Sequence, residues 1–309
     1  MAKVMKVKKS APANWQEALQ LYLGFKGAQG LRPITVKGHG DVVGLFYRRH
    51  PEAWNGQVRE GVYAFMGEAI KPATYNIRRN YLRQYFAWAV EERIVDVDPM
   101  AKLKKRRDEG RTTVLDEDTV RKLLILPDKS TFAGLRDYAL ICFFMDTGAR
   151  PNEAFSLGIH DIDLKAKEAR IASGVSKTGV SRTLPISTIT AQAIANLIQS
   201  RHHMWKNNVT VFCSAEGTPM RNDTWGDRLE VYAKLLGVKF HPYALRHTFA
   251  TLFLRGGGNA LALQRLMGHS TLDMTKRYVH LSQADVKSQH EMASPLKMIF
   301  GALRVGRIR

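Results

Sequence analysis

LGIHDIDLKAKEARIASGVSKTGVSRTLPIS, residues 157–187, is the stretch on which the fold turns. On either side apolar residues recur every three or four positions, whereas here the spacing drops to two. LGIHDIDL, EARIAS and SRTLPIS read as three short strands, with SKTGV as a tight turn between the last two. Upstream, VLDEDTVRKLLIL reads as a capped helix and LRDYALICFFMDTG as an apolar helix stopped by Gly148. Downstream, helices are expected over 188–206, 223–236, 243–256, 259–267 and 271–281. Residues 114–290 are therefore an α+β domain, mostly helical, with one small three-stranded antiparallel sheet.

Further outward, residues 14–100 read as helices alone, so the chain is mainly α. NWQEALQLYLGFKGAQG places Trp15, Leu19, Tyr22 and Leu23 on one face, with Asn14 as its cap and glycines at its end. Amphipathic stretches follow at 33–50 and 56–70. In TYNIRRNYLRQYFAWAVEERI, Ile77, Tyr81, Leu82, Tyr85, Phe86, Trp88 and Ala89 mark a core face, and Asp98-Pro99 is the expected stop. Arg78, Arg79 and Arg83 fall on the other face. Residues 101–113, AKLKKRRDEGRTT, show no apolar periodicity and form a basic linker. Residues 1–13 are a basic tail. In the tail 291–309, a helix starting at Ser294-Pro295 carries Leu296, Ile299, Phe300 and Leu303 on one stripe. That stripe suits docking on its own domain or on a second copy, and the pattern does not choose.

The charge says what kind of partner to expect. Lys and Arg number 47 against 28 Asp and Glu, a net +19. Residues 1–110 hold 20 of the basic and 11 of the acidic side chains, so both halves are strongly basic. A basic chain with an ordinary apolar fraction of 45% points to a globular protein that binds a polyanion. Arg78, Arg79 and Arg83, with Lys104, Lys105, Arg106 and Arg107 of the linker, are the candidate phosphate contacts. Cys142 and Cys213 are too few for a disulfide framework and sit in apolar company, as buried thiols of a reducing cytoplasm would. No run of about 18 apolar residues reads as a membrane span. The histidines and cysteines lack zinc spacing, so no metal is indicated.

Five polar residues carry the chemistry: Arg150 in DTGARPNEAFSL, Lys177 in SKTGVSRTLPI, Arg246 in YALRHTFAT, His269 in RLMGHS and Tyr278 in TKRYVH. Attack on a phosphodiester requires stabilising charge on non-bridging oxygens and protonating the leaving oxygen. Arginine suits the first task, because its planar fork donates parallel bonds to phosphate and stays charged. Three cations, an imidazole and a phenol can do this without a metal or other cofactor.

In this order and with these flanks, the five residues resemble the active site of the tyrosine recombinases, the phage integrase family. Arg150 lies in the family's TGxR context with Glu153 following, Arg246 stands in LRHTFAT, and His269 precedes Tyr278 by nine residues. Residues 14–100 resemble the family's core-binding domain and 114–290 its catalytic domain. The resemblance implies that Tyr278 attacks the scissile phosphate to give a 3′-phosphotyrosyl bond. Arg150 and Arg246 would grip the non-bridging oxygens, His269 would donate to one, and Lys177 would protonate the 5′-oxygen. It also implies a homotetramer on two DNA duplexes bearing specific sites, with accessory proteins as further partners. Lacking a separate arm-binding domain before residue 14, the chain resembles the compact Xer-type or mobile-element enzymes. A type IB topoisomerase or a catalytically inactive DNA-binding relative are the alternatives.

One position departs from the family. Where a histidine usually stands three residues before the second arginine, this chain has Tyr243. Tyrosine can still hydrogen-bond phosphate, and His241, two residues earlier, is the other candidate for the role. His247 reads as a structural histidine, and Lys165 and Lys167 as surface rivals of Lys177.

Overall fold

Two units, Met1–Arg111 and Thr112–Arg309, each close a hydrophobic core of their own. The structure is a computed structural model and describes residues 12–108, 113–176, 179–205, 208–279, 287 and 290–300.

In the first unit, α1 (Trp15–Ala28), α2 (Pro33–Arg49), a 3-10 turn (Pro51–Asn55), α3 (Val58–Gly67) and α4 (Pro72–Glu91) surround an aromatic core. Asn14 caps α1, its side chain accepting from the Glu17 amide at 2.9 Å. Tyr22, Phe46, Tyr47, Phe65, Tyr85 and Phe86 are buried together, mostly edge to face. Offset and edge-on rings let electron-poor rims meet electron-rich faces.

The buried stripe of α4 runs through Tyr75, Arg78, Leu82, Tyr85 and Ala89, at steps of three and four residues. Ile77, assigned to the core by sequence, is 55% exposed, because it lies about 100° around the helix from Arg78. The helix also ends earlier than Pro99 suggested. Arg93 takes a left-handed φ of 59°, and the Ile94 amide returns to the Ala89 carbonyl at 2.8 Å. That six-to-one bond closes the helix without a glycine. Residues 101–108 of the basic linker are strapped along α4. Arg79 Nε donates to the Leu103 carbonyl at 2.6 Å, Asn76 and Arg106 bond each other's backbone or side chain, and the Arg106 guanidinium lies 3.9 Å over the Tyr75 ring.

The second unit contains α5 (Glu117–Ile125), α6 (Phe132–Thr147), α7 (Pro151–Phe155), β1 (Ile162–Asp163), β2 (Glu168–Ile171) and β3 (Arg182–Pro185). After these come α8 (Thr188–Gln199), α9 (Asn222–Leu236), α10 (Pro242–Arg255), α11 (Ala260–Met267), α12 (Asp273–Lys276) and α13 (Pro295–Phe300). The strands pair antiparallel in the order β1-β2-β3, with Ile162 opposite Ala169 and Ala169 opposite Leu184. β1 is shorter than the sequence implied, because Ile159–Asp161 forms a 3-10 turn whose Asp161 carboxylate accepts from the Gly158 amide at 2.8 Å. The helix expected over 188–206 stops at Gln199, and that expected over 271–281 is Asp273–Lys276, with 280 and 281 outside the described residues.

α6 is apolar on all sides and runs through the core, carrying the wholly buried Asp137. That carboxylate takes bonds from Arg136 at 2.7 Å, Arg228 at 2.7 Å and the Tyr232 hydroxyl at 2.8 Å, tying α6 to α9. A buried carboxylate needs such partners to offset its lost hydration. Phe249, Ala250, Leu263, Met267 and Tyr278 form a separate small cluster between α10, α11 and α12. In the tail, Leu296 and Ile299 of α13 are 65% and 70% exposed, while Leu303 lies outside the described residues.

Candidate active site

Two glycines set the site. Gly148 ends α6 at φ 59°, and a Cβ there would meet the Phe249 ring at 2.2 Å, so no other residue fits. The turn it makes delivers Arg150 to the N-terminus of α7. Gly268 ends α11 at φ 61°, with the His269 amide returning to the Gln264 carbonyl at 3.1 Å, and so delivers His269. The two turns are stitched crosswise. The Gly148 carbonyl accepts from Arg246 Nη1, while the Gly268 carbonyl accepts from Arg150 Nη2 at 3.1 Å.

Glu153, 1% exposed, is the counter-charge beneath. It accepts from the Arg150 amide at 2.9 Å and from Arg150 Nη1 at 3.1 Å. Arg182 on β3 meets it with both ends of its fork, at 3.1 and 2.7 Å, and sends Nε to the Leu266 carbonyl at 2.8 Å. Burial raises the Glu153 pKa, but the bonds and charges of Arg182 and Arg150 outweigh it and hold the carboxyl below its usual range.

Arg246 is 4% exposed. Its Nη2 donates to the Met267 carbonyl at 2.8 Å and to His269 Nε2 at 3.0 Å. Burial, and then the like charge of Arg150, bring its pKa down to about 10, so it stays charged at neutral pH. Since a guanidinium cannot accept, Nε2 of His269 must, and Nδ1 carries the proton toward Thr275 Oγ1 at 2.8 Å. Burial, followed by Arg246, Arg150, Arg277 and Arg182, lowers the His269 pKa to about 4. The imidazole is thus neutral in the free protein. Arg150 and Arg182 share one carboxylate with Arg246 nearby, and each keeps N–H groups with no acceptor among the described residues. An oxyanion suits such a place.

Tyr278 follows α12 and is 6% exposed, its ring in the small apolar cluster. Burial raises its pKa, and the charges of Arg246 and Arg277 offset only part of that. Its hydroxyl meets His247 Nδ1 at 2.6 Å. Arg150, Arg246, His269 and Tyr278 are therefore brought to one locality by α6, α7, α10, α11 and α12. Lys177 lies outside the described residues. Tyr243, in the first turn of α10, is 47% exposed and has no hydrogen-bond partner among the described residues. His241 is the exposed N-cap residue of α10.

Two residues of the cluster are not singled out by the sequence. His247 reads as structural from the sequence, although at i+4 from Tyr243 it shares that residue's helix face. Arg182 is one of many arginines, and only the strand alternation in SRTLPIS hinted at it. In the first unit, Arg78 is not presented to a partner. It is 8% exposed, bonded to Glu68 at 2.7 Å and to the Phe65 carbonyl at 3.2 Å, and lies 4.1 Å over the Phe65 ring. Arg79 is half-buried, while Arg83, Lys104, Lys105, Arg106 and Arg107 are exposed. Among the described residues no cluster of histidine, cysteine and carboxylate could hold a metal ion, and no helix is long and apolar enough to cross a membrane.

The sequence profile of the phage integrase family matches residues 113–285. The chain is 27% identical over 291 residues to tyrosine recombinase XerC of Shewanella amazonensis, covering 92% of this chain and 96% of that one. It is 29% identical over 232 residues to tyrosine recombinase XerD of Vibrio cholerae serotype O1, covering 73% and 76%. Among solved structures, the Tn1549 transposon integrase in complex with a circular intermediate DNA superposes with a TM-score of 0.72 at 20% identity, covering 89% of this chain and 99% of that one. The XerH site-specific recombinase bound to difH substrate gives 0.65 at 19% identity, covering 89% and 83%. With its helical fold, its small sheet and its paired arginines beside a buried tyrosine, the chain belongs to the phage integrase family, the tyrosine recombinases.

Proposed function

We propose that the chain performs site-specific recombination by opening and resealing DNA strands at Tyr278. The observation that carries this is the crosswise seating of Arg150 and Arg246 on the Gly268 and Gly148 carbonyls, with His269 bonded to Arg246 and Tyr278 nearby. The N–H groups of Arg150 and Arg246 that have no acceptor among the described residues take the two non-bridging oxygens of the scissile phosphate. The phosphate's negative charge counteracts the arginines that depress the His269 pKa, so Nε2 can gain a proton and donate to one oxygen. The Tyr278 oxygen attacks phosphorus, and Lys177 protonates the departing 5′-oxygen. The covalent 3′-phosphotyrosine conserves the phosphodiester's energy, so a second 5′-hydroxyl can displace the tyrosine without a nucleotide cofactor.

Double-stranded DNA with a defined site is the substrate, and four copies act on two duplexes. The exposed Leu296 and Ile299 of α13 support a tail that docks on a neighbouring copy, because a helix face this apolar is otherwise left in water. Arg83 and the basic 104–107 segment supply backbone contacts in the first unit.

The test uses duplexes recovered as covalent adducts from a randomised nicked pool, rebuilt intact in two fragments of different length. Strand exchange giving recombinant lengths supports the proposal. Relaxation of supercoiled plasmid lacking the site, with no exchanged strands, would overturn it.

A further inference from the structure

The Tyr278 hydroxyl stands 2.6 Å from His247 Nδ1, with the two rings 5.7 Å apart between centroids and inclined by 39°. His247 follows Tyr243 by one helical turn on α10, and side chains four residues apart share a face. Tyr243 occupies the place where a histidine is usual, yet its side chain is 47% exposed and unpartnered among the described residues. The imidazole missing at 243 is thus present one turn later, against the oxygen that must lose a proton.

We propose that His247 is a further catalytic residue, the base that takes the phenolic proton of Tyr278. This rests on Tyr278 being the nucleophile. As the Tyr278 oxygen–phosphorus bond forms and the phosphorus–O5′ bond breaks, the phenolic proton passes to His247 Nδ1, and Lys177 gives a proton to O5′. On resealing, the His247 imidazolium returns its proton to the departing tyrosine oxygen, and Lys177 receives that of the incoming 5′-hydroxyl. The step requires the Nε2–H tautomer of His247, with Nδ1 free to accept.

The surroundings suit the role. His241, at the N-cap of α10, faces His247 with its ring 6.5 Å away and nearly perpendicular. Arg246 comes from α10, and Arg277 and Tyr278 come from the end of α12. Burial first, then His241, Arg246 and Arg277, lower the His247 pKa to about 4, so the ring is unprotonated and ready to accept at neutral pH. A bound phosphodiester offsets the two arginine charges and makes the ring more basic at the moment of attack.

The test isolates deprotonation of the tyrosine. The recovered duplex is remade with sulfur replacing the scissile 5′-oxygen, since a thiolate leaves without a proton and the part played by Lys177 drops out. The wild-type chain should form adduct at a rate constant that rises by no more than about threefold from pH 6 to 9. A rate that climbs tenfold per pH unit would mean that the phenol ionises unaided, which overturns the proposal. His247→Asn keeps a hydrogen-bonding group near the Nδ1 position but cannot take the proton. It should bind the duplex as wild type does, form adduct about 100-fold more slowly at pH 7, and acquire the tenfold-per-unit slope. A loss under tenfold overturns the proposal. If His247→Asn fails to fold, the wild-type profile decides alone. Adduct persisting in Tyr278→Phe counts against Tyr278 as nucleophile and is thereby told apart from failure of His247.

Discussion

Replacing Glu153 by Gln should unseat the site from below. The carboxylate accepts four bonds, two from Arg182, one from the Arg150 side chain and one from the Arg150 amide, at 2.7 to 3.1 Å. Glutamine has nearly the same shape, and its carbonyl can keep the bonds at the Oε1 position. Its NH2 then faces Arg182 Nη2 and the Arg150 amide, donor against donor. Two buried guanidinia also lose their shared counter-charge. Removing one partner of a buried ion cluster costs about 3–5 kcal/mol. In a domain of this size each kcal/mol moves the melting temperature by about 2–4 °C, so Glu153→Gln should lower Tm by about 10 °C at pH 7. Because Glu153 titrates below its usual 4.5 when folded, its contribution is present above that value and is lost as pH falls through the folded pKa. The gap between wild type and variant should therefore narrow below pH 4.5. Calorimetry of the full chain, following the transition of the second unit, measures both effects. A Tm within 2 °C of wild type at pH 7 would refute the reasoning.

Further outcomes follow from the same contacts. His247 and His269 fall to about 4 when folded against an ordinary 6.5, so the unfolded chain binds more protons between those values; stability held above pH 6.5 should drop by about 2 kcal/mol for each histidine on going from pH 7 to 5, read by denaturant melts. Arg83→Ala should weaken DNA binding and reduce the salt dependence of affinity by about one counter-ion, whereas Arg78→Ala should destabilise the first unit, because it strips Glu68 and the Phe65 carbonyl of a buried partner. Gel-shift titrations over a range of salt, paired with melts, separate the two. Tyr243→His should change stability by less than about 0.5 kcal/mol, since the site is exposed, and should alter cleavage rate while leaving DNA affinity unchanged.

Much of this was legible in the sequence, for identifiable reasons. The three strands around 157–187 announce themselves by alternation, and Gly148 and Gly268 mark helix ends because few other residues tolerate a left-handed φ. Arg150, Arg246, His269 and Tyr278 stood out by motif, and the fold gathers them. What stayed hidden depends on tertiary contact. The stop of α4 falls on Arg93 in a conformation that arginine seldom signals. Arg78 looks like one more surface arginine until Glu68 and Phe65 arrive from α3 and its end. The linker's charge concealed backbone carbonyls that bind α4. His247 could not be told from a structural histidine until α12 brought Tyr278 against it. The charges of Arg246 and Arg277 favour a phenolate, yet burial prevails and the Tyr278 pKa is raised.

The most direct test of the central claim is covalent capture. Wild-type chain incubated with the recovered nicked duplex should give a protein–DNA adduct that resists denaturation, and peptide mass spectrometry should place the nucleotide on Tyr278. Tyr278→Phe should bind the same duplex and give no adduct. An adduct of undiminished yield in Tyr278→Phe, or a modified peptide that lacks residue 278, would contradict the account.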